Sequence, residues 1–260
     1  MTEPQEQSQI SVSVQNFGHS TQLIGLGGHY VLTDPHFGSR CLLWKRQSEM
    51  PDPGQLPTLD AVVISHAHPD HLNIDSFKFI PGSVPVFVPE GMAMALRATI
   101  QNPIIALNWW THFALPSGLT ITAVPARHNG GKILPWRFRK VCGWVIRYNN
   151  KSVYFAGDTR AGTHFKEIGN TMKINVALLP VGTMVSVPWN HMAHLSPKQA
   201  AEAAQELNPE FVIPNHWGSF GWNRHPGEGD VETFKGAMLM HNMGDRCVVV
   251  PPNNNWTQTI

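Results

Sequence analysis

Three histidines and one aspartate lie close together directly after a strongly apolar stretch of the chain. Residues 61–73 read AVVISHAHPDHLN and contain the pattern His-x-His-x-Asp-His at His66, His68, Asp70 and His71. Imidazole nitrogens and a carboxylate together suit Zn²⁺ and similar metal ions. One tetrahedral ion with an open position does not need four such ligands, so the motif indicates two neighbouring metal ions.

Histidine is frequent throughout this chain, with 14 His beside 18 Asp and Glu among 260 residues. Chance clustering is therefore the alternative explanation for the motif. The apolar run at 59–66 argues against chance, because a buried strand that ends at the first histidine gives the following loop a rigid platform. Since histidine is the commonest metal ligand, we favour a metal site.

Three further residues of metal-binding type lie at the ends of other strand-like runs. They are His128, Asp158 and His216, and each belongs to a separate run. Taken singly, each is more often a structural residue than a ligand. As a set that completes the first motif, they predict a site that is assembled at the rim of a sheet.

Strand and helix patterns alternate along the chain and provide the elements that must position these residues. The predicted strands cover 10–17, 21–26, 29–34, 59–66, 84–89, 119–127, 142–149, 152–158, 176–182, 211–216 and 246–252. The predicted helices cover 91–100, 196–208 and 230–242, and a shorter helix is expected from Asp70 through residue 79. We therefore expect one mixed α/β domain over residues 10–260, preceded by a flexible tail at residues 1–9.

Composition and charge exclude several classes of protein. Lys and Arg number 19 against 18 Asp and Glu, and the net charge of +1 excludes a nucleic-acid binder that depends on a strongly basic surface. Three Cys without a CxxC pair exclude a disulfide scaffold and a thiolate zinc site. No run approaches the roughly 18 apolar residues of a transmembrane helix. Because the first ten residues lack the features of a secretory signal, we expect a cytoplasmic protein.

Several segments carry a resemblance to a known family. HAHPDH (66–71), His128, AGDT (156–159) and NHWGSF (215–220), in this order, resemble the metallo-β-lactamase superfamily. Other segments are similar to its N-acylphosphatidylethanolamine phospholipase D branch, which hydrolyses phosphodiesters: GHST (18–21), LTDPHFGSR (32–40), NWW (108–110) and HLSPKQA (194–200). The resemblance implies an α/β fold, the αβ/βα four-layer sandwich, in which two mixed sheets carry helices on their outer faces.

The same resemblance implies a role for each candidate ligand. The ligands of one metal ion would be His66, His68 and His128. The ligands of a second ion would be Asp70, His71 and His216, and Asp158 would bridge the two. The implied cofactor is two divalent metal ions, with zinc expected first and iron or manganese as alternatives. Such ions share a bridging hydroxide that acts as the nucleophile, and Asp70 lies where it can orient or deprotonate that water.

Residues beside the ligand set also receive expected roles from the resemblance. Asp34, in LTDP, is expected to accept the free N–H of a ligating histidine and so fix its orientation, although a turn-forming role is the alternative. His194 is expected to be a catalytic residue that contacts the substrate. Independently of the resemblance, Trp217 directly follows His216 and Trp189 lies shortly before His194. These two are candidates for the wall of the substrate pocket, although core packing and loop anchoring is the alternative. His19, in GHST, receives no ligand role because the ligand set is already full.

The segment 130–140 is basic, and its interpretation stays open. Its cations are Lys132, Arg137, Arg139 and Lys140. They can attract a phosphate or an anionic lipid surface, but such a run is more often a solvated face. Peripheral contact with a membrane therefore remains open, whereas no nucleic-acid partner is expected.

These observations lead to one main functional hypothesis and two alternatives. The main hypothesis is a dinuclear metal-dependent hydrolase, specifically a phosphodiesterase that acts on a small-molecule or phospholipid-like ester. The first alternative is a lactonase for a phosphorylated sugar lactone, as in the ascorbate-6-phosphate lactonase-like proteins. The second is a metal-binding module without catalytic activity.

Overall fold

Two β-sheets lie face to face at the centre of the protein. The computed structural model describes residues 9–133, 136–137, 140–182, 193–221 and 227–260. The first sheet contains β1 (Ser11–Asn16), β2 (Gln22–Leu26), β3 (His29–Thr33), β6 (Ala61–Val63), β7 (Val86–Pro89), β8 (Ile104–Leu107) and β17 (Asn254–Thr259), numbered in chain order. Its strand order is β17-β1-β2-β3-β6-β7-β8.

The second sheet is built from the middle and later parts of the chain. It contains β9 (His112–Ala114), β10 (Thr120–Pro125), β13 (Cys142–Tyr148), β14 (Lys151–Phe155), β15 (Val176–Pro180) and β16 (Phe211–Asn215). Its strand order is β16-β15-β14-β13-β10-β9. Two small hairpins lie outside the sheets, formed by β4 (Arg40–Cys41) with β5 (Trp44–Lys45) and by β11 (Lys132–Ile133) with β12 (Trp136–Arg137).

Both sheets are mixed, and their parallel parts determine where a site can form. In the first sheet β3, β6, β7 and β8 are parallel to one another, whereas β1, β2 and β3 are antiparallel. In the second sheet β14, β15 and β16 are parallel, and β10 runs in the same direction because it is separated from β14 by the antiparallel β13. The carboxyl ends of these strands therefore share one edge within each sheet, and the loops that follow them can meet.

In the part of the chain that the structure describes, four α-helices complete the layers: α1 (Ala93–Arg97), α2 (His164–Thr171), α3 (Pro197–Leu207) and α4 (Glu228–Met240). One buried apolar cluster lies between the sheets and includes Ile24 and Trp144. A second lies between the second sheet and α2–α4, with Phe165 and Phe234, and a third covers the outer face of the first sheet with Leu96 of α1. This order of layers is the expected four-layer sandwich.

The continuous apolar runs are explained by burial on both faces of the sheets. In β15, Val176 and Leu178 join the cluster between the sheets, whereas Ala177 and Leu179 join the cluster under the helices. A strand that is covered on both faces has no solvent-facing position, so its sequence shows no polar alternation.

Helix α3 begins and ends as its sequence predicts. Ser196 Oγ accepts from the backbone N–H of Gln199, the Gln199 side chain accepts from the backbone N–H of Ser196, and Pro197 occupies the first turn. Asn208 ends the helix in the left-handed conformation, with φ of 49°. Among the described residues no helix is both long and apolar enough to cross a membrane.

The structure corrects two predicted elements. The last strand is not at 246–252 but at Asn254–Thr259, where it pairs with β1. The apolar residues before it are buried or partly buried against the core, yet they make only an isolated bridge between Cys247 and Val212. The helix expected to begin at Asp70 is also corrected: the structure has a 3₁₀ helix there, and it begins only at Ile74. An apolar run predicts burial, but it does not specify strand pairing.

Candidate metal centre

The loops that follow the carboxyl ends of five strands meet at one edge of the sandwich. Asp34 follows β3, and the segment from His66 to His71 follows β6. His128, Asp158 and His216 follow β10, β14 and β16 of the other sheet. The arrangement brings together seven candidate ligands that are as many as 150 residues apart in the chain, because both sheets direct the relevant strand ends to the same side.

Four of these side chains form a first group around His68. His68 Nδ1 lies 2.8 Å from His66 Nε2 and 3.1 Å from His128 Nε2. Asp158 Oδ2 lies 3.7 Å from His66 Nε2 and 3.6 Å from His128 Nε2. One ligand atom from each of these four residues lies within 4.8 Å of the others, a spacing that allows them to hold one cation.

A second group surrounds Asp70. Its Oδ2 lies 3.0 Å from His19 Nε2, 3.6 Å from His71 Nε2 and 3.7 Å from His216 Nε2. These four residues also place one ligand atom each within 4.8 Å of the others. The group contains the expected Asp70, His71 and His216, and in addition His19.

Asp158 lies between the two groups. Its Oδ2 is 3.2 Å from His71 Nε2, and its Oδ1 is 3.1 Å from His216 Nε2. His194 Nδ1 also lies 3.5 Å from Asp158 Oδ2. A single carboxylate therefore faces imidazoles that belong to both groups.

The donor set fits divalent metal ions. Asp158 Oδ1, His71 Nε2, His194 Nδ1 and His216 Nε2 are buried, and although they lie close to one another, none of them makes a hydrogen bond of acceptable geometry. Buried polar atoms in proteins are almost always satisfied, and leaving them unpaired is costly. Since these atoms converge and all are nitrogen or oxygen donors, a cation of the zinc, iron or manganese type would satisfy them.

Electrostatics divides the imidazoles of the site into two kinds. Burial lowers the pKa of His66 and His68, and it lowers that of His194 to about 4, so these rings are neutral and carry a free lone pair at neutral pH. Burial also opposes protonation of His216, but the Asp158 and Asp70 carboxylates together outweigh it and raise the pKa of His216 to about 9. The concentrated negative charge that attracts a proton there would equally attract a metal ion.

A buried network behind the site fixes the orientation of two candidate ligands. Asp34 accepts at Oδ1 from the backbone N–H of Ser65 (2.7 Å) and at Oδ2 from the Ser65 hydroxyl (2.6 Å). Asp34 Oδ2 also lies 2.7 Å from His71 Nδ1, and Ser65 Oγ lies 2.9 Å from His66 Nδ1. Both rings therefore use Nδ1 for the protein and direct Nε2 into the site.

Backbone carbonyls orient two more rings. His128 Nδ1 donates to the carbonyl of Ala193 at 2.9 Å, and His216 Nδ1 donates to the carbonyl of Gly182 at 3.1 Å. A metal-binding histidine usually donates its other ring N–H in this way, which fixes the tautomer.

Close approach of the two sheet edges depends on Gly157 in the AGDT segment. Its φ is +59°, and a Cβ at this position would collide with the side chain of Ser65. The absent side chain lets the turn before Asp158 pack directly against the residue that precedes His66. The conformation and the contact both require glycine.

His19 belongs to the site, although sequence reasoning gave it no ligand role. It is only 2% exposed, and its ring centroid lies 3.9 Å from that of His216. Its backbone has φ of 55°, and Asp34 and His216 also have positive φ, 36° and 63°. Such strained conformations concentrate at functional sites. The available signal in the sequence was the Gly-His pair after β1, which marks a tight turn.

A pocket of about 300 Å³ opens onto the two groups. Its polar floor is formed by His68, Asp70, His128, Asp158, His194 and His216. Its apolar wall includes Cys41, Leu42 and Trp44 of the β4–β5 hairpin. The pocket therefore combines the candidate metal ligands with one apolar side.

Other expected site residues are placed differently. Trp189 lies outside the described residues. Trp217 is not among the described residues that line the metal pocket; its Nε1 donates to the carbonyl of Pro214 at 2.9 Å, and its ring lines a second pocket beside Glu228. The backbone of His216 has a φ of 63°. His216 lines the metal pocket, whereas the adjacent Trp217 lines the second pocket.

The basic segment 130–140 begins beside the site and then leaves it. The backbone of Gly130 accepts from Ala67, between two candidate ligands. Further along, Lys140 pairs with Glu90, away from the metal pocket, and Arg137 is exposed. Arg139 and the side chain of Lys132 lie outside the described residues.

Comparison with known proteins identifies the family. The sequence profile of the "Beta-lactamase superfamily domain" matches residues 29–217, a range that includes all seven expected ligands. The chain belongs to the metallo-β-lactamase superfamily. One relative is named a metal-dependent hydrolase, and the donor set of this chain fits a metal ion.

Several relatives are similar over most of this chain. An uncharacterized protein of Mycobacterium tuberculosis is 35% identical over 87% of this chain and 64% of its own length. The N-acyl-phosphatidylethanolamine-hydrolyzing phospholipase D 1 of Caenorhabditis elegans is 31% identical over 78% of this chain and 63% of its own length. A UPF0173 metal-dependent hydrolase of Methanopyrus kandleri is 30% identical over 92% of this chain and 96% of its own. The chain thus spans about two thirds of the length of the first two relatives.

Solved structures share the fold. Igni18, a metallo hydrolase from Ignicoccus hospitalis, superimposes with a TM-score of 0.76 at 24% identity, covering 96% of this chain and 99% of that one. An isothiocyanate hydrolase from Delia radicum gut bacteria gives a TM-score of 0.72 at 18% identity, covering 95% and 99%. These likenesses confirm the four-layer sandwich that the sequence predicts.

Proposed function

We propose that this protein is a metal-dependent hydrolase and, more specifically, a dinuclear phosphodiesterase. The observation that carries the proposal is the position of Asp158, whose two oxygens lie within 3.7 Å of imidazoles from both groups. A carboxylate between two sets of nitrogen donors is suited to bridge a pair of cations, and paired metal sites are common among phosphoryl-transfer enzymes.

Each ion would have its own ligands besides the shared Asp158. His66, His68 and His128 would hold one ion, and Asp70, His71 and His216 would hold the other. When bound, divalent cations supply a water of lowered pKa and stabilise negative charge that develops on phosphoryl oxygens. Zinc is the ion that we expect, because imidazole dominates the donor set.

Two residues of the protein are suited to act on the reacting groups. The carboxylate of Asp70 lines the pocket and is 16% exposed, so it can accept a hydrogen bond from an attacking water and orient it. His194 also lines the pocket, and its Nδ1 lies beside Asp158. In its neutral form His194 can donate an N–H to a phosphoryl oxygen, which holds the diester in position for attack.

The relatives support a phosphodiester as substrate. Two of them, from Caenorhabditis elegans and Saccharomyces cerevisiae, are named N-acyl-phosphatidylethanolamine-hydrolyzing phospholipases D, at 31% and 27% identity. The GHST and HLSPKQA segments of the sequence point to the same branch. We therefore propose a small-molecule or phospholipid-like phosphodiester as the substrate class.

The test compares two phosphodiesters and one lactone after the protein is loaded with zinc, iron or manganese. The substrates are bis-p-nitrophenyl phosphate, an N-acylphosphatidylethanolamine and a phosphorylated sugar lactone. We expect hydrolysis of the diesters, loss of activity with a chelator, and recovery when metal is added back. Metal analysis should give close to two ions per chain.

Different outcomes separate the alternatives. Hydrolysis of the lactone without hydrolysis of either diester would replace the phosphodiesterase by a lactonase. Two bound ions with no turnover of any ester would favour a metal-binding module. As a control, Asp245→Asn changes an exposed carboxylate outside the site and should leave metal content and turnover unchanged.

A further inference from the structure

The β4–β5 hairpin places an unusual residue at the mouth of the metal pocket. Arg40 pairs with Lys45 and Cys41 pairs with Trp44, which leaves a two-residue turn of Leu42 and Leu43. Cys41, Leu42 and Trp44 line the pocket. Leu43 is not among the described lining residues and is 86% exposed.

In the protein without a ligand, Leu42 lowers the stability of the fold in two independent ways. Its φ is 50°, a region that tight hairpin turns normally fill with Gly, Asn or Asp, and a bulky side chain there is strained. Its side chain is also 65% exposed, although an apolar side chain gains stability from burial. Among the residues that the structure describes, Leu42 belongs to none of the buried apolar clusters, so a contact with a bound molecule is the natural compensation.

The base of the hairpin is firmly held, and therefore the position of Leu42 is defined. Arg46 donates from Nη2 to the carbonyl of His36 (2.6 Å) and from Nε to the carbonyl of Gly38 (3.0 Å). The backbone N–H of Gly221 donates to the carbonyl of Lys45 at 3.0 Å, which ties β5 to the segment that follows His216. A hairpin anchored on both sides holds its tip over the pocket.

We propose that Leu42 and Trp44 form an apolar lip that binds a hydrocarbon substituent of the substrate, so that the enzyme selects esters carrying an extended apolar group beside the hydrolysed bond. Pro69 and Ala193 continue the apolar surface toward the candidate ligands. Contact with a substituent shields the Leu42 side chain from water, and the metal ligands on the opposite side receive the charged ester. This inference rests on the proposed phosphodiesterase function.

The activity test uses p-nitrophenyl alkyl phosphodiesters with methyl, butyl and hexyl groups, at concentrations where all are monomeric. For the wild type, kcat/KM should rise with chain length. Leu42→Gly should lower the ratio of kcat/KM for the hexyl ester to kcat/KM for the methyl ester about tenfold, the loss expected when one leucine contact is removed. Glycine is favoured at positive φ, so this variant is expected to fold at least as well as the wild type.

Leu43→Ser is the matched control, because it removes a neighbouring exposed leucine that does not line the pocket. It should leave the dependence on chain length unchanged. The proposed role of the lip is wrong if Leu42→Gly lowers kcat/KM equally for the methyl and hexyl esters. It is also wrong if Leu43→Ser lowers kcat/KM for the hexyl ester as strongly as Leu42→Gly does.

A binding experiment separates this inference from the proposed function. Calorimetry with the metal-loaded protein compares methylphosphonate and hexylphosphonate, which are not hydrolysed. Tighter binding of hexylphosphonate, lost in Leu42→Gly, supports the lip even if no diester is turned over. Diester turnover without any preference for the hexyl group overturns the lip alone.

Sedimentation with phosphatidylcholine vesicles tests whether the tip of the hairpin binds a lipid surface instead. Vesicle binding that Leu43→Ser abolishes, together with no chain-length effect in Leu42→Gly, would assign the hairpin to a lipid surface and overturn the lip.

Discussion

The carboxylate of Asp34 lies 2.7 Å from the Nδ1 of His71, and both side chains are completely buried. The same oxygen accepts from the hydroxyl of Ser65, which in turn contacts His66 Nδ1. One carboxylate from the end of β3 thereby orients a candidate ligand in each of the two groups. Partners of this kind are important for affinity, because they hold a ring in the orientation that binding requires.

Asp34→Asn should weaken metal binding without unfolding the protein. The amide keeps the size of the side chain and tolerates the positive φ of this position, but it removes the charge that supports both rings. We expect metal affinity to fall about 10–100-fold, measured by competition with a chromogenic chelator. Asp245→Asn, at an exposed position, is the control, and equal affinities for the two variants would contradict the orienting role of Asp34.

Asp158→Ala should abolish turnover while the fold is largely retained. Among the described residues, Asp158 is the only carboxylate that lies within 3.7 Å of imidazoles from both groups. Its loss therefore uncouples the two proposed cations. We expect metal content to fall below two ions per chain, and His66→Ala should have a similar effect on activity. Near-normal turnover of either variant, together with an unchanged circular dichroism spectrum, would show that the site is wrongly assigned.

The ends of the strands were the part of the site that the sequence predicted best. His128, Asp158 and His216 each follow a strand-like run, and such runs identify strands without knowledge of the fold. Once the strands are parallel within mixed sheets, residues at their carboxyl ends must meet at one edge. The clustering of these ligands therefore follows from local patterns together with one topological rule.

The parts that could not be predicted depend on contacts between distant segments. His19 reaches Asp70 because the turn after β1 packs against the loop after β6, and nothing in GHST alone specifies that contact. The last strand is formed mainly by polar residues that pair with β1 at the opposite end of the chain. Because this pairing is not visible in the local sequence, the sequence predicts the strand at the apolar run before it. Leu42 gave no signal, since its positive φ is visible only in the folded hairpin.

His19→Asn should impair the group around Asp70. Asparagine tolerates the positive φ of this position, but its shorter side chain cannot reproduce the 3.0 Å contact with Asp70 Oδ2. We expect turnover to fall about tenfold, which corresponds to roughly 1.4 kcal/mol of lost interaction, together with weaker binding of one of two metal ions in a titration. His112→Asn, at an exposed position of β9, is the matched control. A purely structural role for His19 would lower the melting temperature but leave the second binding step intact.

His164, at the start of α2, should make stability depend on pH independently of the metal ligands. It is 4% exposed and lies 3.1 Å from the Thr159 hydroxyl. Burial, with a smaller effect of the Arg127 guanidinium, lowers its pKa from 6.5 to about 4 in the folded protein. Because the folded-state pKa of His164 lies below its unfolded-state value, the contribution of neutral His164 to the free energy of unfolding is fully present above pH 6.5. That contribution is lost as the pH falls toward 4.

The measurement is the free energy of unfolding in urea for the wild type and for His164→Gln, at pH 7 and at pH 4.5. Glutamine remains neutral and can keep a hydrogen bond to Thr159. We expect the wild type to lose about 2–3 kcal/mol more than the variant over this range, since effects of all other groups cancel in the difference. His112→Gln, at an exposed position, should lose as much as the wild type. An equal loss for the wild type and His164→Gln would mean that His164 does not need to be neutral for the fold to form.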